Sequence, residues 1–142
     1  MTVNYNFKTK PYQHQLDAVK EADRKTAFAY LMEMGTGKSK CLLDDAGILY
    51  TRGEINFLMV VAPKGVYQNW VNAEIPAHLS DDIKREVIRW VPSPNKKQKE
   101  ELNSLGNIKS EHLVIFVMNV EAFSTRKGKD FALTVASIRG NR

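Results

Sequence analysis

Short apolar runs alternate with amphipathic segments along the chain, and this alternation predicts an ordered series of strands and helices. Four runs have the length and composition typical of buried strands: Ala27–Leu31, Phe57–Ala62, Glu86–Val91 and His112–Met118. Five further segments have the pattern of helices: Tyr12–Asp23, Lys38–Tyr50, Val66–Leu79, Lys96–Leu105 and Asp130–Ile138. Strands and helices that alternate at this pitch predict an α/β fold with a mainly parallel sheet covered on both faces.

Composition narrows the class of protein only a little. The chain has 142 residues, enough for one domain with a substantial core. Its 21 Lys and Arg residues against 16 Asp and Glu residues give a net charge of +5, which permits a polyanionic partner without requiring one. The single cysteine cannot form an intrachain disulfide, which favours a reducing compartment. Because the N-terminus lacks an apolar signal region and no apolar run approaches the ~20 residues of a membrane helix, we expect a cytoplasmic protein.

A glycine-rich stretch between the first predicted strand and the next helix has the composition of a phosphate-binding loop. It reads Met32-Glu33-Met34-Gly35-Thr36-Gly37-Lys38-Ser39. Gly35 and Gly37 allow backbone N–H groups to converge on a phosphate, and the helix N-terminus adds partial positive charge. We expect Lys38 to reach the β- and γ-phosphates of ATP and the Ser39 hydroxyl to bind Mg²⁺. The alternative is a tight glycine turn before a helix that happens to carry Lys-Ser, since Met32 stands where the general motif has glycine.

Around this loop the sequence resembles superfamily 2 helicases, particularly the Swi/Snf-type DNA translocases and their phage relatives, which tolerate a non-glycine residue at the place of Met32. The resemblance implies a RecA-like P-loop domain with three α/β/α layers, of which residues 1–142 are a partial N-terminal helicase ATP-binding domain. It implies that ATP and Mg²⁺ bind at the loop, with Lys38 in the catalytic role and Ser39 as metal ligand, in a bacterial or phage-infected cell. The implied nucleotide-binding loop residues are Met34, Gly35, Thr36, Gly37, Lys38, Ser39 and Lys40.

Upstream of the loop, a second segment resembles the Q motif with which these helicases recognise adenine. It reads Lys10-Pro11-Tyr12-Gln13-His14-Gln15-Leu16-Asp17-Ala18-Val19. Aligned on Gln-Leu-Asp-Ala-Val, the resemblance makes Gln15 the adenine-reading glutamine, with Gln13 a weaker candidate and Tyr12 able to stack beside the base. A side-chain amide suits this role because it pairs with both the donor and the acceptor on the adenine edge. The alternative is an exposed polar helix start.

Two later segments resemble motifs with which the family contacts the DNA backbone. Val60-Val61-Ala62-Pro63-Lys64, followed by Trp70 and Glu74, is similar to motif Ia, whose strand-end loop contacts sugar and phosphate without reading sequence. Phe116–Phe123 is similar to the family's strand, polar turn and Glu-x-Phe segment. The DNA-binding residues that these resemblances imply are Lys64, Gly65, Asn119, Ser124 and Arg126. The alternatives are a core position for Trp70 on the buried face of its helix and a generic strand-to-helix turn after Asn119.

The resemblance lacks two elements that ATP hydrolysis requires. No Asp-Glu pair follows Phe123, so the metal-holding strand of motif II is missing and the expected fold is incomplete at its C-terminal end. The second lobe, which supplies an arginine finger in this family, is missing too. Such an arginine raises the rate of hydrolysis in P-loop enzymes by a factor of ~10³–10⁵. We therefore expect this chain alone to bind Mg-ATP, and to bind DNA weakly and without sequence preference, but not to hydrolyse ATP.

The missing strand has a structural consequence. A parallel sheet that ends at the Leu113–Met118 strand is expected to leave an exposed edge there, and exposed edges pair with other chains. The expected partners besides ATP and DNA are therefore the remainder of the helicase and, through this edge, a second copy of the chain.

Two other functions compete with a helicase portion. One is a naturally short nucleotide- or DNA-binding module that uses the loop without turnover. The other is an unrelated P-loop enzyme, such as a small nucleotide kinase. The kinase is disfavoured because enzymes of that kind need additional Arg and Asp residues late in the chain.

Overall fold

Three parallel strands and six helices form the part of the protein that the computed structural model describes. The described residues are 5–23, 25, 27–31, 37–104 and 112–139, with the backbone alone for 138 and 139. The strands are β1 (Phe57–Ala62), β2 (Arg85–Arg89) and β3 (Leu113–Asn119). The helices are α1 (Gln13–Ala22), α2 (Lys38–Thr51), α3 (Lys64–Asn69), α4 (Ile75–His78), α5 (Lys96–Asn103) and α6 (Arg126–Arg139). This arrangement confirms the predicted α/β class and the parallel sheet, and none of the described helices is long and apolar enough to cross a bilayer.

The strand β3 lies at the centre of the sheet, because the strand order is β1-β3-β2. Phe57 of β1 pairs with Val114, and Arg85 of β2 pairs with Leu113, both in parallel register. All seven residues of β3 are buried. The expectation that β3 forms the exposed edge is therefore wrong: its continuous apolar run reflects two strand neighbours and two covered faces. Within the described residues, β1 and β2 are the edge strands.

Alternate residues of β3 point into two separate cores, as strand geometry requires. Leu113, Ile115 and Val117 pack with apolar residues of α1, α2 and the α3–α4 segment. Phe116 and its neighbours on the other face pack with Leu102 of α5 and with residues of α6. Helices therefore contact the sheet from both faces, which agrees with the sheet covering predicted from the sequence.

A π-helical turn, Trp70–Glu74, joins α3 to α4, so that residues 64–78 form one helical segment. The N–H of Ile75 donates to the carbonyl of Trp70, five residues earlier. Pro76 follows, and a proline has no N–H to donate and clashes with the carbonyl four residues before it. The wider turn accommodates the proline without breaking the helix. Trp70 is only 9% exposed and belongs to the first core, which confirms its core interpretation.

The predicted strand Ala27–Leu31 is not a strand in the structure. Its residues have no regular secondary structure, Leu31 is 94% exposed and Phe28 is partly exposed. An apolar run does not specify a pairing partner, and a strand without one leaves its backbone groups to water. The sequence therefore located an apolar segment correctly and assigned it the wrong structure.

An apolar groove of about 410 Å³ lies between α2 and the outer edge of β1. Leu42 and Leu49 of α2, all of Phe57–Val61, and Trp70 contribute to its walls. The N–H of Val114 donates to the carbonyl of Asn56, and in a parallel ladder this fixes which residues of β1 bond to β3. Phe57, Met59 and Val61 consequently direct their N–H and C=O groups away from β3 and toward the groove. No strand among the described residues pairs with this edge.

The helix α6 begins at Arg126, four residues before the predicted start at Asp130. The reason is an N-cap: the hydroxyl of Thr125 accepts from the N–H of Gly128 at 3.1 Å. The turn before it, a 3₁₀ helix at Val120–Ser124, approaches α6 so closely that a Cβ on Gly128 would overlap the carbonyl oxygen of Ala122. Glycine at position 128 therefore allows α6 to fold back directly after β3.

Candidate functional site

The N-terminus of α2 contains the described part of the candidate phosphate loop. Gly37 has a φ of 82°, in the left-handed region that glycine adopts without steric cost, and α2 begins directly after it at Lys38. The side chains of Lys38 and Ser39 are half-buried in the first turn. A lysine, a hydroxyl and a 14-residue helix that starts at this point are the donors that a nucleotide phosphate requires. The remaining predicted loop residues, Met34, Gly35 and Thr36, lie outside the described residues.

Gln15 lies against this turn. It is only 5% exposed, although it is a polar residue of α1, and a Cβ built on Gly37 would overlap its amide nitrogen. Its Oε1 accepts from the N–H of Tyr12 at 2.9 Å, which fixes the amide in the capping box of α1. The structure thus brings the predicted adenine-reading glutamine into contact with the predicted phosphate loop, although 22 residues separate them in the sequence.

The two other candidates of this segment face solvent. Gln13 is exposed, and its amide donates to Asp17 at 2.9 Å on the same helix. Tyr12 is 71% exposed and its ring stacks on His14 with centroids 5.9 Å apart. Of the two glutamines, Gln15 is therefore the one whose position fits a nucleotide bound at α2.

The side chain of Lys40 points into the protein. Its side chain is buried, and its ammonium donates to the Thr9 carbonyl at 2.9 Å and to the Asp44 carboxylate at 2.8 Å. Burial raises the pKa of Asp44 above its ordinary value, although the ammonium acts in the opposite direction. A direct contact from Lys40 to a nucleotide would therefore involve its backbone, and its ammonium has a different role.

Cys41 is completely buried in the first core, and burial raises the pKa of its thiol. Both properties are typical of a small core residue and not of a reactive thiol.

One predicted Mg²⁺ ligand, Ser39, lies in the first turn of α2. Within the described ranges no group of three or more His, Cys, Asp or Glu residues is arranged to hold a metal ion. Mg²⁺ in nucleotide sites is bound by one or two protein ligands together with phosphate oxygens and water. The Ser39 hydroxyl, in the first turn of α2, fits that limited role.

The predicted DNA-binding residues follow the carboxyl ends of neighbouring strands. Ala62, the last residue of β1, pairs with Asn119, the last residue of β3, so the loops after both strands leave the same edge of the sheet. We call the segments Pro63–Val66 and Asn119–Lys127 the carboxyl-edge surface. Four of the predicted DNA-binding residues are exposed on it: Lys64, Gly65, Ser124 and Arg126. The fifth, Asn119, is 9% exposed and donates to Glu121 at 3.3 Å.

Glu121 accepts hydrogen bonds from the backbone of Lys64, one of the predicted DNA-binding residues. Its two carboxylate oxygens accept from the backbone N–H of Lys64 at 3.2 and 3.0 Å. Hydrogen bonds from its own N–H and from the Lys64 N–H hold the pKa of Glu121 below its ordinary value, so the carboxylate is ionised at neutral pH. A phosphate that used the Lys64 N–H would have to displace this carboxylate, which leaves the exposed Lys64 ammonium as the available donor.

Two features of the site were beyond sequence reasoning. The bond from Lys64 to Glu121 spans 57 residues, and the bond from Lys40 to Thr9 spans 31. Neither has a sequence pattern, because each depends on how separate elements pack. The nearest indication was the polar turn after β3, which marked Glu121 as a motif residue without identifying what it contacts.

Comparisons with known proteins assign no function to these residues. A scan against protein-family models found no model that matches the chain, and a search of curated proteins found no significant match.

Proposed function

We propose that this chain is the ATP-binding portion of an ATP-dependent DNA helicase or translocase, with a RecA-like fold. The observation that carries the proposal is the left-handed Gly37 directly before Lys38 and Ser39, with the buried amide of Gln15 packed on that turn. Glycine, lysine and hydroxyl serve the phosphates and their metal, and an amide serves a base. Gln15 of α1 contacts Gly37 at the start of α2, and this contact supports a single ligand that contains both a base and phosphates.

In this proposal each residue of the site has a distinct task. Lys38 neutralises charge on the β- and γ-phosphates, and the N–H groups at the start of α2 donate to phosphate oxygens. Ser39 contributes its hydroxyl to the Mg²⁺ that accompanies ATP. Gln15 hydrogen-bonds the adenine edge, and the exposed ring of Tyr12 stacks beside the base. Mg²⁺ supplies charge neutralisation at the phosphates when it is bound.

DNA binds at the carboxyl-edge surface in this proposal. Lys64 and Arg126 are exposed cations on loops that leave the same sheet edge, and the side chain of Arg126 is 96% exposed. Contacts from exposed lysine and arginine to phosphates are sequence-independent and weaken with salt. With few such cations at this edge, we expect weak binding whose affinity falls steeply as the salt concentration rises.

The 142 residues contain no Asp-Glu pair after Phe123, so in this proposal binding occurs without turnover. The remainder of the helicase supplies the metal-holding acids and the arginine finger in this proposal. Robust DNA-stimulated ATP hydrolysis by the chain alone, abolished in Lys38→Ala, would contradict this part of the proposal.

Calorimetric titration of the purified chain with Mg-ATP and with Mg-tripolyphosphate tests the nucleotide site. We expect Lys38→Ala to weaken the binding of both ligands at least about tenfold, because it removes charge-assisted hydrogen bonds to phosphate. We expect Gln15→Ala to weaken ATP alone, since tripolyphosphate has no base.

Lys20→Ala, an exposed lysine of α1, is the matched control and should bind both ligands like the wild type. Equal ATP affinity in the wild type and in folded Lys38→Ala would refute the phosphate site. Loss of tripolyphosphate binding in folded Gln15→Ala would contradict the role of its amide in base recognition.

A further inference from the structure

We propose that Lys40 is a positioning residue that fixes the adenine-reading segment against the start of α2 and thereby sets the preference for adenine. The inference rests on the nucleotide site proposed above. It assigns a function to a buried cation next to Ser39 that phosphate chemistry leaves unexplained.

The contacts of Lys40 join α2 to the segment that precedes α1. Its side chain is 6% exposed, and its ammonium lies 2.9 Å from the Thr9 carbonyl, 2.8 Å from the Asp44 carboxylate and 5.4 Å from the centre of the Phe7 ring. Asp44 belongs to α2, whereas Phe7 and Thr9 belong to the extended segment before α1. The lysine therefore bridges the two elements with one charged group.

A second set of contacts, made by Tyr5, holds the segment before α1 against α2. The other carboxylate oxygen of Asp44 accepts from the Tyr5 hydroxyl at 3.3 Å, and that hydroxyl accepts from the Ser80 N–H at 3.3 Å. The Tyr5 ring packs edge-on against Phe7 with centroids 5.1 Å apart. Residues 5–9 are thus fixed on α2 and on the end of the α3–α4 segment.

The contacts form a closed circuit that includes Gly37 and Gln15 of the candidate nucleotide site. Thr9 is bound by Lys40, and six residues later the chain reaches Gln15, which packs on Gly37. Gly37 and Lys40 lie one turn apart at the start of α2. Between Thr9 and Gln15, Pro11 restricts the backbone. A shift of the Thr9 carbonyl therefore moves Gln15 relative to the turn that Gly37 forms.

Stability alone is a weak reason for this ion pair. Both side chains are almost fully buried, and the cost of removing two charges from water cancels much of their attraction. Well-packed apolar residues in place of such a pair are often neutral or stabilising. What a buried charged pair supplies and apolar residues do not is a directional bond, here to the Thr9 carbonyl.

The experiment compares the affinities for Mg-ATP, Mg-GTP and Mg-tripolyphosphate in three proteins whose folding is verified by circular dichroism. The first is the wild type, and the second is Lys40→Met combined with Asp44→Asn, which removes both charges together and leaves no unpaired buried ion. The third is Lys8→Met, a matched control in the same segment, where the lysine pairs with Asp81 at the surface at 2.8 Å.

We expect the wild type and Lys8→Met to prefer ATP over GTP. The double variant should lose about tenfold of that preference, the discrimination that one or two hydrogen bonds to a base supply. Its tripolyphosphate affinity should stay within about threefold of the wild type, because the phosphate donors are unchanged. If Lys40 had a purely structural role, the double variant would change the affinities for all three ligands by similar factors.

Retention of the full preference for ATP by the folded double variant overturns the inference. A wild type that binds ATP and GTP equally, with both weakened by Lys38→Ala, also overturns it but leaves the phosphate site intact. A wild type that binds none of the three ligands overturns both the inference and the proposed function.

Discussion

Among single residues, Glu121 places a negative charge on the carboxyl-edge surface. Its carboxylate accepts twice from the Lys64 N–H and once from Asn119, next to the cations proposed to bind DNA. The charge repels a phosphate and competes for the same N–H. Removal of the charge should therefore strengthen binding of any polyanion at this surface.

We predict that Glu121→Gln binds a DNA oligonucleotide about twofold to fivefold more tightly than the wild type at ~50 mM salt, and equally at high salt where the charge is screened. Fluorescence anisotropy across a salt series measures both values. Glu86→Gln is the control, because this exposed glutamate lies near the amino end of β2, away from the carboxyl-edge surface. Weaker binding by Glu121→Gln would show that the carboxylate organises the surface instead of opposing DNA.

The same residue predicts an acid dependence of stability. Its pKa is lowered in the folded state, mainly by the hydrogen bond from its own N–H and then by that from Lys64. The stability it contributes is therefore present above the ordinary glutamate pKa and is lost as the pH falls through the lowered value. The unfolding free energy of Glu121→Gln should fall less than that of the wild type over this acidic range, as urea denaturation at several pH values measures.

At the scale of elements, the contact between the 3₁₀ turn and α6 is the tightest that the described glycines make with backbone. A Cβ at position 128 would overlap the Ala122 carbonyl oxygen and lie 2.9 Å from the Thr125 hydroxyl. Because one of these neighbours is backbone, the turn itself must move to make room. Gly65 in α3, by contrast, has no atom within 4 Å of an added Cβ.

We predict that Gly128→Ala lowers the free energy of unfolding by about 1–3 kcal/mol through overpacking, as measured by urea denaturation. Gly65→Ala is the matched control, and it should leave stability unchanged or raise it by up to about 1 kcal/mol, because alanine favours a helix. Equal stability changes in the two variants would contradict the close approach at Gly128.

The sequence predicted local elements well and relationships between elements less well. The helix over α2 and the strands β1 and β3 follow from apolar spacing that neighbouring residues determine. The central position of β3 depends on strand order, which no local pattern contains. The apolar segment 27–31 was misassigned for the same reason, since apolarity does not name a partner.

The candidate site likewise contains local features that the sequence predicted and contacts between elements that it did not. Gly37, Lys38 and Ser39 were predictable because one helix start carries all three. The contact of Gln15 with Gly37 depends on how α1 packs against α2, which the order of the motifs does not specify. Lys40 was predicted as a loop residue, and its actual partner, the Thr9 carbonyl, depends on how the N-terminal segment packs.

At the scale of the whole molecule, the outer edge of β1 is an apolar sheet edge that no other described strand pairs with. The groove beside it is apolar, Val61 is 43% exposed and Leu42 of α2 is 44% exposed. Backbone groups of Phe57, Met59 and Val61 point toward this groove, which is the arrangement that accepts an additional strand. Of the two edge strands among the described residues, we therefore expect β1 to mediate self-association, and not β3 as the sequence suggested.

We predict that the purified chain self-associates at high concentration through β1, and that Val61→Lys shifts it to monomer. A lysine on an edge strand blocks pairing because its charge cannot be buried between two strands. Leu133→Lys, at an exposed apolar residue of α6, is the control and should leave association unchanged. Sedimentation velocity that finds a clean monomer of the wild type at high concentration counts against the prediction.

Hydrogen exchange measured by mass spectrometry, with and without saturating Mg-ATP, tests whether a nucleotide binds at Gly37, Lys38 and Gln15. We expect slower amide exchange at the start of α2, residues 37–41, and at the start of α1, residues 12–15, and we expect Lys38→Ala to abolish both effects. Protection confined to the groove beside β1 or to the carboxyl-edge surface, or no protection at saturating Mg-ATP, would contradict it.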